Sequence, residues 1–202
     1  MKNFIHSLTF FRLLSGPFIF MLIIGAKSFG AALFIFLLAS FSDYWDGFLA
    51  RKYNLESELG EVMDPIADKV LTLFLIMALV VHFQSPFIAF LGALILAREF
   101  WVSALRSINS RNSRLEATKV TFLAKIKTLV QFCAFGFFLA SMYLNNNFIE
   151  FIAYFILFSS LIIAYQTALS YTIATFRREG WMAEWLCRGL QICLLLFASG
   201  YV

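Results

Sequence analysis

Long apolar stretches, separated by short polar clusters, run through nearly the whole chain. Six of them, at residues 8–26, 29–50, 64–83, 86–107, 119–144 and 148–175, are long enough to cross a bilayer, which takes about 20 mostly apolar residues in a helix. The pattern therefore predicts six spanning helices and no strands. The second stretch stops being apolar at Asp43 although a helix should continue past it, so its end is predicted to project into the cytoplasm. The first run leads straight into the second with no small-residue cleavage site, so it is expected to stay as a span rather than act as a signal peptide. After Arg178 the residues 181–202 are again apolar, with Glu184 and Arg188 in the first half. This tail is expected to be an interfacial helix with Trp181 and Trp185 at headgroup level; a short seventh span is the other reading. The expected fold is thus all-α and integral to the membrane. Residues 1–180 form a six-helix membrane domain, and residues 181–202 form an apolar tail of unassigned role.

Composition excludes a soluble domain. Hydrophobic residues make up 61% of the 202, charged residues 14%, and Phe alone occurs 26 times. Average soluble domains are roughly 45–50% apolar and about 25% charged, and a chain of this length has too little interior to hide the excess. Nucleic acid is not an expected partner; membrane lipids are.

The net charge of +4 matters less than its placement. The connections 25–30, 82–86 and 144–148 hold one basic residue, Lys27. The alternate segments hold Lys2, Arg12, Arg51, Lys52, Arg106, Arg111, Arg114, Lys119, Arg177 and Arg178. Basic residues collect on the cytoplasmic side, so both termini are expected inside. The three cysteines, Cys133, Cys187 and Cys193, form no CxxC pair and read as small buried hydrophobes rather than a zinc site or disulfide framework. His6 and His82 are isolated and read as interfacial.

Chemistry concentrates in one segment. All four aspartates of the chain, Asp43, Asp46, Asp64 and Asp68, lie within 26 residues. Spacings of three and four place each pair on one helix face, and the intervening loop lets the pairs face each other. Four carboxylates at a membrane boundary repel one another and are costly to desolvate. Two divalent cations would neutralise them, and oxygen-only ligation suits Mg²⁺ or Mn²⁺. With no His or Cys in the cluster, zinc is disfavoured. The plain alternative is four solvated aspartates at helix ends. Gly47 leaves room beside Asp46 for a ligand, Gly60 suits the turn into the third helix, and Arg51 can meet a phosphate.

The segment Asp43-Tyr-Trp-Asp46-Gly47-Phe-Leu-Ala50-Arg51, continued by Gly60, Asp64 and Asp68, resembles the signature of the CDP-alcohol phosphotransferases at all eight fixed positions. The resemblance implies an integral membrane enzyme of six helices, a homodimer, that cleaves the pyrophosphate of a CDP-linked donor, releases CMP and moves the phosphoalcohol to a hydroxyl. On that pattern Asp43, Asp46 and Asp64 carry most of the metal ligation. Asp68 is the general base and a further ligand, and Asp43, Gly47, Ala50 and Arg51 bind the CDP donor.

Three further stretches, 8–17, 97–106 and 124–131, resemble the bacterial branch of that family that uses CDP-diacylglycerol as donor and glycerol 3-phosphate as acceptor. This implies phosphatidylglycerophosphate as product and the cytoplasmic (inner) membrane as location, with the site facing the cytoplasm. Arg98, Arg106, Lys125 and Lys127 lie in or near apolar segments, where a charge usually has a partner. The dianionic acceptor phosphate is the partner expected here, with snorkelling to the interface as the alternative. Glu99 is expected to pair with a neighbouring cation. Two competing functions remain: the same chemistry with serine or inositol phosphate as acceptor, and a divalent-cation transporter. A transport site would more often lie near the midplane, whereas these carboxylates sit at one membrane face.

Overall fold

The structure, a computed structural model, describes the backbone of residues 2–53, 58–111 and 122–176. It describes side chains at 7–42, 45, 63–111 and 126–176. The described residues form six α-helices: α1 (Lys2–Ile24), α2 (Phe29–Tyr53), α3 (Glu58–Phe83), α4 (Pro86–Arg111), α5 (Phe122–Leu144) and α6 (Asn147–Phe176). The chain is an all-α integral membrane protein. Five helices, all but α2, are long and apolar enough to cross a membrane. In α2 the apolar part is Phe29–Ser42, yet the helix runs on past Asp43 to Tyr53, as the sequence pattern anticipated. Gly60 falls in the first turn of α3 instead of before it. The expected tail helix at 181–202 lies outside the described residues.

The ends of the helices are set by local chemistry. Asn145 takes a left-handed conformation (φ 49°), and the Asn146 amide then donates to the carbonyl of Ser141 at 3.1 Å, the pattern of a Schellman cap. The same Asn146 accepts at Oδ1 from the amides of Phe148 and Ile149, so one residue closes α5 and opens α6. Ser85 caps α4 through the Ile88 amide, and Pro86 occupies the first helical position, where no N–H is needed.

Each helix has two principal neighbours. Following the contacts α1–α2–α5–α6–α4–α3 and back to α1 closes a ring. One half of the ring, at the end of the short turns, is filled by apolar side chains from all six helices, including Ile19, Phe36, Leu75, Ile88, Phe138 and Leu157. Contact between α1 and α3 is close enough that a Cβ at Gly16 would meet the Leu71 Cα at 3.2 Å and the Val70 carbonyl oxygen at 3.3 Å. Both obstacles are backbone, so a larger residue there would push the helices apart. Many Phe residues point outward, among them Phe18, Phe34, Phe90, Phe148, Phe151 and Phe155. Such a surface is stable against lipid tails and not against water. Cys133 is exposed on α5, which corrects the expectation of a buried thiol. An apolar sequence environment does not separate lipid-facing from core positions, because both are apolar.

Candidate active site

The half of the ring away from the short turns holds most of the buried polar and charged side chains among the described residues, including Thr9, Arg12, Arg98, Asn109, Lys127 and Gln131. There α1 packs against both helices that carry the aspartate motif. In α2 the helical register places positions 43, 46, 47, 50 and 51 along one stripe; their side chains lie outside the described residues. In α3, Asp64 and Asp68 are one turn apart, and α1 offers them a matching ladder. Thr9 donates from Oγ1 to Asp64 Oδ1 at 2.9 Å, and Arg12 donates from Nη1 to Asp68 Oδ1 at 2.9 Å. A second arm of Arg12, Nη2, lies 4.0 Å from Asp64 Oδ1. Arg12 is fully buried, while both carboxylates remain partly exposed. A buried guanidinium must be paired to be tolerated, and the carboxylates provide that pairing. In return both carboxylates are held in place by side chains of a neighbouring helix.

Arg12 was counted in the sequence only among the basic residues of one membrane face; the structure adds that its charge is matched by carboxylates inside the protein. Its signal in the sequence was its isolation, since it is the one charged residue between Ser7 and Gly25.

Asp68 also lines an open cavity of about 550 Å³ between α3, α4 and α5. On its walls stand Lys69, Arg98, Glu99, Ser103, Arg106, Lys127, Thr128 and Gln131. On α4 the positions 99, 103 and 106 follow the spacing of one helical face. Lys69 donates to Ser103 Oγ at 2.6 Å, tying α3 to α4. Glu99 Oε1 accepts from Lys127 Nζ and, at 3.2 Å, from Arg98 Nη1. The expected pairing of Glu99 is thus present, and it is double. Arg98 further donates to the Ala164 carbonyl at 3.0 Å and to Thr167 Oγ1 at 2.6 Å. These bonds fasten α4 to α6 and give this nearly buried cation a structural duty beside any contact with substrate. Arg106 is exposed, with its guanidinium 6.0 Å from the ring centre of Tyr171.

Of the four cations singled out in the sequence, the structure brings Arg98, Arg106 and Lys127 to one cavity. The backbone of Lys125 lies in α5, and its side chain is outside the described residues. Lys69 was missed. It adjoins Asp68, and a lysine beside an aspartate reads by default as a solvated neighbour.

No group of three His, Cys, Asp or Glu side chains converges among the described residues. What is described nevertheless fits a hard divalent cation. Asp64 and Asp68 present carboxylate oxygen one turn apart, and the contacts of Asp64 with Thr9 and Arg12 fall on Oδ1.

The profile of the family described as CDP-alcohol phosphatidyltransferase matches residues 3–174, and that family generally uses a divalent metal. Curated proteins similar to this chain include those named CDP-diacylglycerol–glycerol-3-phosphate 3-phosphatidyltransferase from Shigella flexneri, Shigella boydii and Escherichia coli. Each is 32% identical over 170 residues, which is 83% of this chain and 91% of the relative.

Proposed function

Since this chain belongs to the CDP-alcohol phosphatidyltransferase family, we propose that it transfers the phosphatidyl group of CDP-diacylglycerol to sn-glycerol 3-phosphate. The products are phosphatidylglycerophosphate and CMP. The observation that carries this reading is the cavity that joins Asp68, the last aspartate of the motif, to a wall of cations. An acceptor for this chemistry needs a hydroxyl at a base and, if it is a phosphate ester, cations for its charge. One cavity offers both.

In this reading the donor's acyl chains stay in the bilayer, and its cytidine diphosphate lies against Asp43, Gly47, Ala50 and Arg51. The acceptor phosphate is held by Arg106, Lys125 and Lys127, with Arg98 behind them. Asp68 takes the proton from the acceptor's primary hydroxyl as that oxygen attacks the phosphorus of the phosphatidyl group. The bond from this phosphorus to the CMP oxygen breaks, and CMP leaves. Arg12 holds Asp68 in place during this transfer. A pair of Mg²⁺ or Mn²⁺ ions held by Asp43, Asp46, Asp64 and Asp68 would supply charge neutralisation for the pyrophosphate and the departing oxygen. We place the enzyme as a homodimer in the bacterial cytoplasmic membrane, with both termini and the cavity's polar end facing the cytoplasm. The basic residues of alternate loops support that orientation. The domain is residues 1–180, with 181–202 an appended apolar tail.

The acceptor assignment is tested by the cations. Arg106→Ala and Lys125→Ala should each raise KM for glycerol 3-phosphate and barely move KM for CDP-diacylglycerol. Loss of a hydrogen bond to a charged group corresponds to about 1.5–3 kcal/mol, roughly tenfold or more. Steady-state kinetics with each substrate varied in turn measures both constants. Equal changes for the two substrates would assign these cations to the donor or to the fold.

A further inference from the structure

We propose that Gln131 recognises the secondary hydroxyl of the acceptor and so makes the enzyme specific for a hydroxylated three-carbon phosphate. The inference rests on the acceptor assignment above and adds to it a residue for a part of the acceptor that the cations do not read. Gln131 is 3% exposed and lines the cavity on the same face of α5 as Lys127, one turn further into the membrane. Its carbonyl oxygen is buried and has no hydrogen-bond donor among the described residues. An amide left unpaired in a buried place is destabilising, and buried polar groups are otherwise nearly always satisfied. The other walls do not explain it. Lys69 is engaged with Ser103, and Arg98 and Lys127 with Glu99.

The chemistry of the missing partner follows from its surroundings. A carbonyl oxygen needs a donor, which a phosphate dianion or a carboxylate cannot be. An ammonium group would be a donor, but the cavity walls carry four cationic residues against the two carboxylates Asp68 and Glu99. A further positive charge is therefore disfavoured, and a neutral hydroxyl is the donor that fits. Lys127 and Gln131 are four residues apart, a rise of about 6 Å along the helix. That suits a short molecule with a phosphate at one end and a hydroxyl beyond it. With the primary hydroxyl at Asp68 and the phosphate at the cations, the hydroxyl left for Gln131 is the secondary one, at C2.

The test compares sn-glycerol 3-phosphate with 3-hydroxypropyl phosphate, which keeps the phosphate and the primary hydroxyl and lacks only the C2 hydroxyl. In the unaltered protein kcat/KM should favour glycerol 3-phosphate by about 10- to 100-fold, the range of one buried hydrogen bond. Gln131→Leu should bring the two acceptors level, with KM for CDP-diacylglycerol held. Gln131→Glu, which keeps an acceptor oxygen at the position, should restore a preference for glycerol 3-phosphate. If the unaltered protein uses both acceptors equally, or if Gln131→Leu lowers both in proportion, the proposal is overturned and the named reaction stands. If the unaltered protein uses neither, the acceptor assignment itself has failed.

Discussion

Asp64→Asn is expected to lower turnover by at least about a thousandfold while the protein still inserts and folds. A metal site supplies several kcal/mol of charge stabilisation to a transferring phosphoryl group, and each 1.36 kcal/mol is about tenfold in rate. The substitution keeps the side chain's shape and leaves an oxygen that Thr9 can still donate to across its 2.9 Å contact. What it removes is the negative charge that offsets the cations and holds them tightly. Asp43→Asn and Asp46→Asn should behave alike, because α2 carries them on the stripe that also bears Gly47, Ala50 and Arg51. Turnover in purified protein, with membrane insertion checked separately, measures the effect. Near-normal rates for any two of the three would remove the metal cluster from the account.

Asp68→Asn should be the next most damaging change, and of a different kind. A lost general base typically lowers rate by about 10²–10⁴. Arg12 Nη1, 2.9 Å from Asp68 Oδ1, can donate to the amide oxygen as it does to the carboxylate, so the position is kept and only the capacity to take a proton is lost. Hence kcat should fall while affinity for CDP-diacylglycerol changes little. A fall in donor affinity as large as the fall in rate would make Asp68 chiefly a ligand.

These two results divide what the sequence displayed from what it hid. Among the described residues, the number of helices, their order and most of their ends were legible, because each apolar run is long and each short turn carries Asn, Gly, Pro or Ser. The aspartate spacing was legible because helical period alone puts 43 with 46 and 64 with 68. Which helices touch was not. Nearly every helix is apolar on all sides, since both lipid and protein accept the same residues, so periodicity does not mark an inward face. The closed order α1–α2–α5–α6–α4–α3 came only from the structure, and with it the place of α1 beside both halves of the motif. Thr9 and Arg12 were visible as residues of a resembling stretch, but their role depends on that adjacency. Glu99 was expected to pair and does. Gln131 closes the third resembling stretch, but an amide has no formal charge to mark it for a role within an apolar run. Cys133 was misjudged for the reason that also hid the ring.

The most direct test of the central claim is CMP release from CDP-diacylglycerol by the purified protein, with glycerol 3-phosphate, serine and inositol phosphate offered separately in the presence of Mg²⁺ or Mn²⁺. The account predicts rapid release with glycerol 3-phosphate, accumulation of phosphatidylglycerophosphate in equal amount, and loss of both when the cation is chelated. Turnover with inositol phosphate or serine and not with glycerol 3-phosphate would contradict the named reaction. Release of CMP with none of the three, alongside metal uptake into proteoliposomes, would contradict the assignment of this cavity to phosphatidyl transfer altogether.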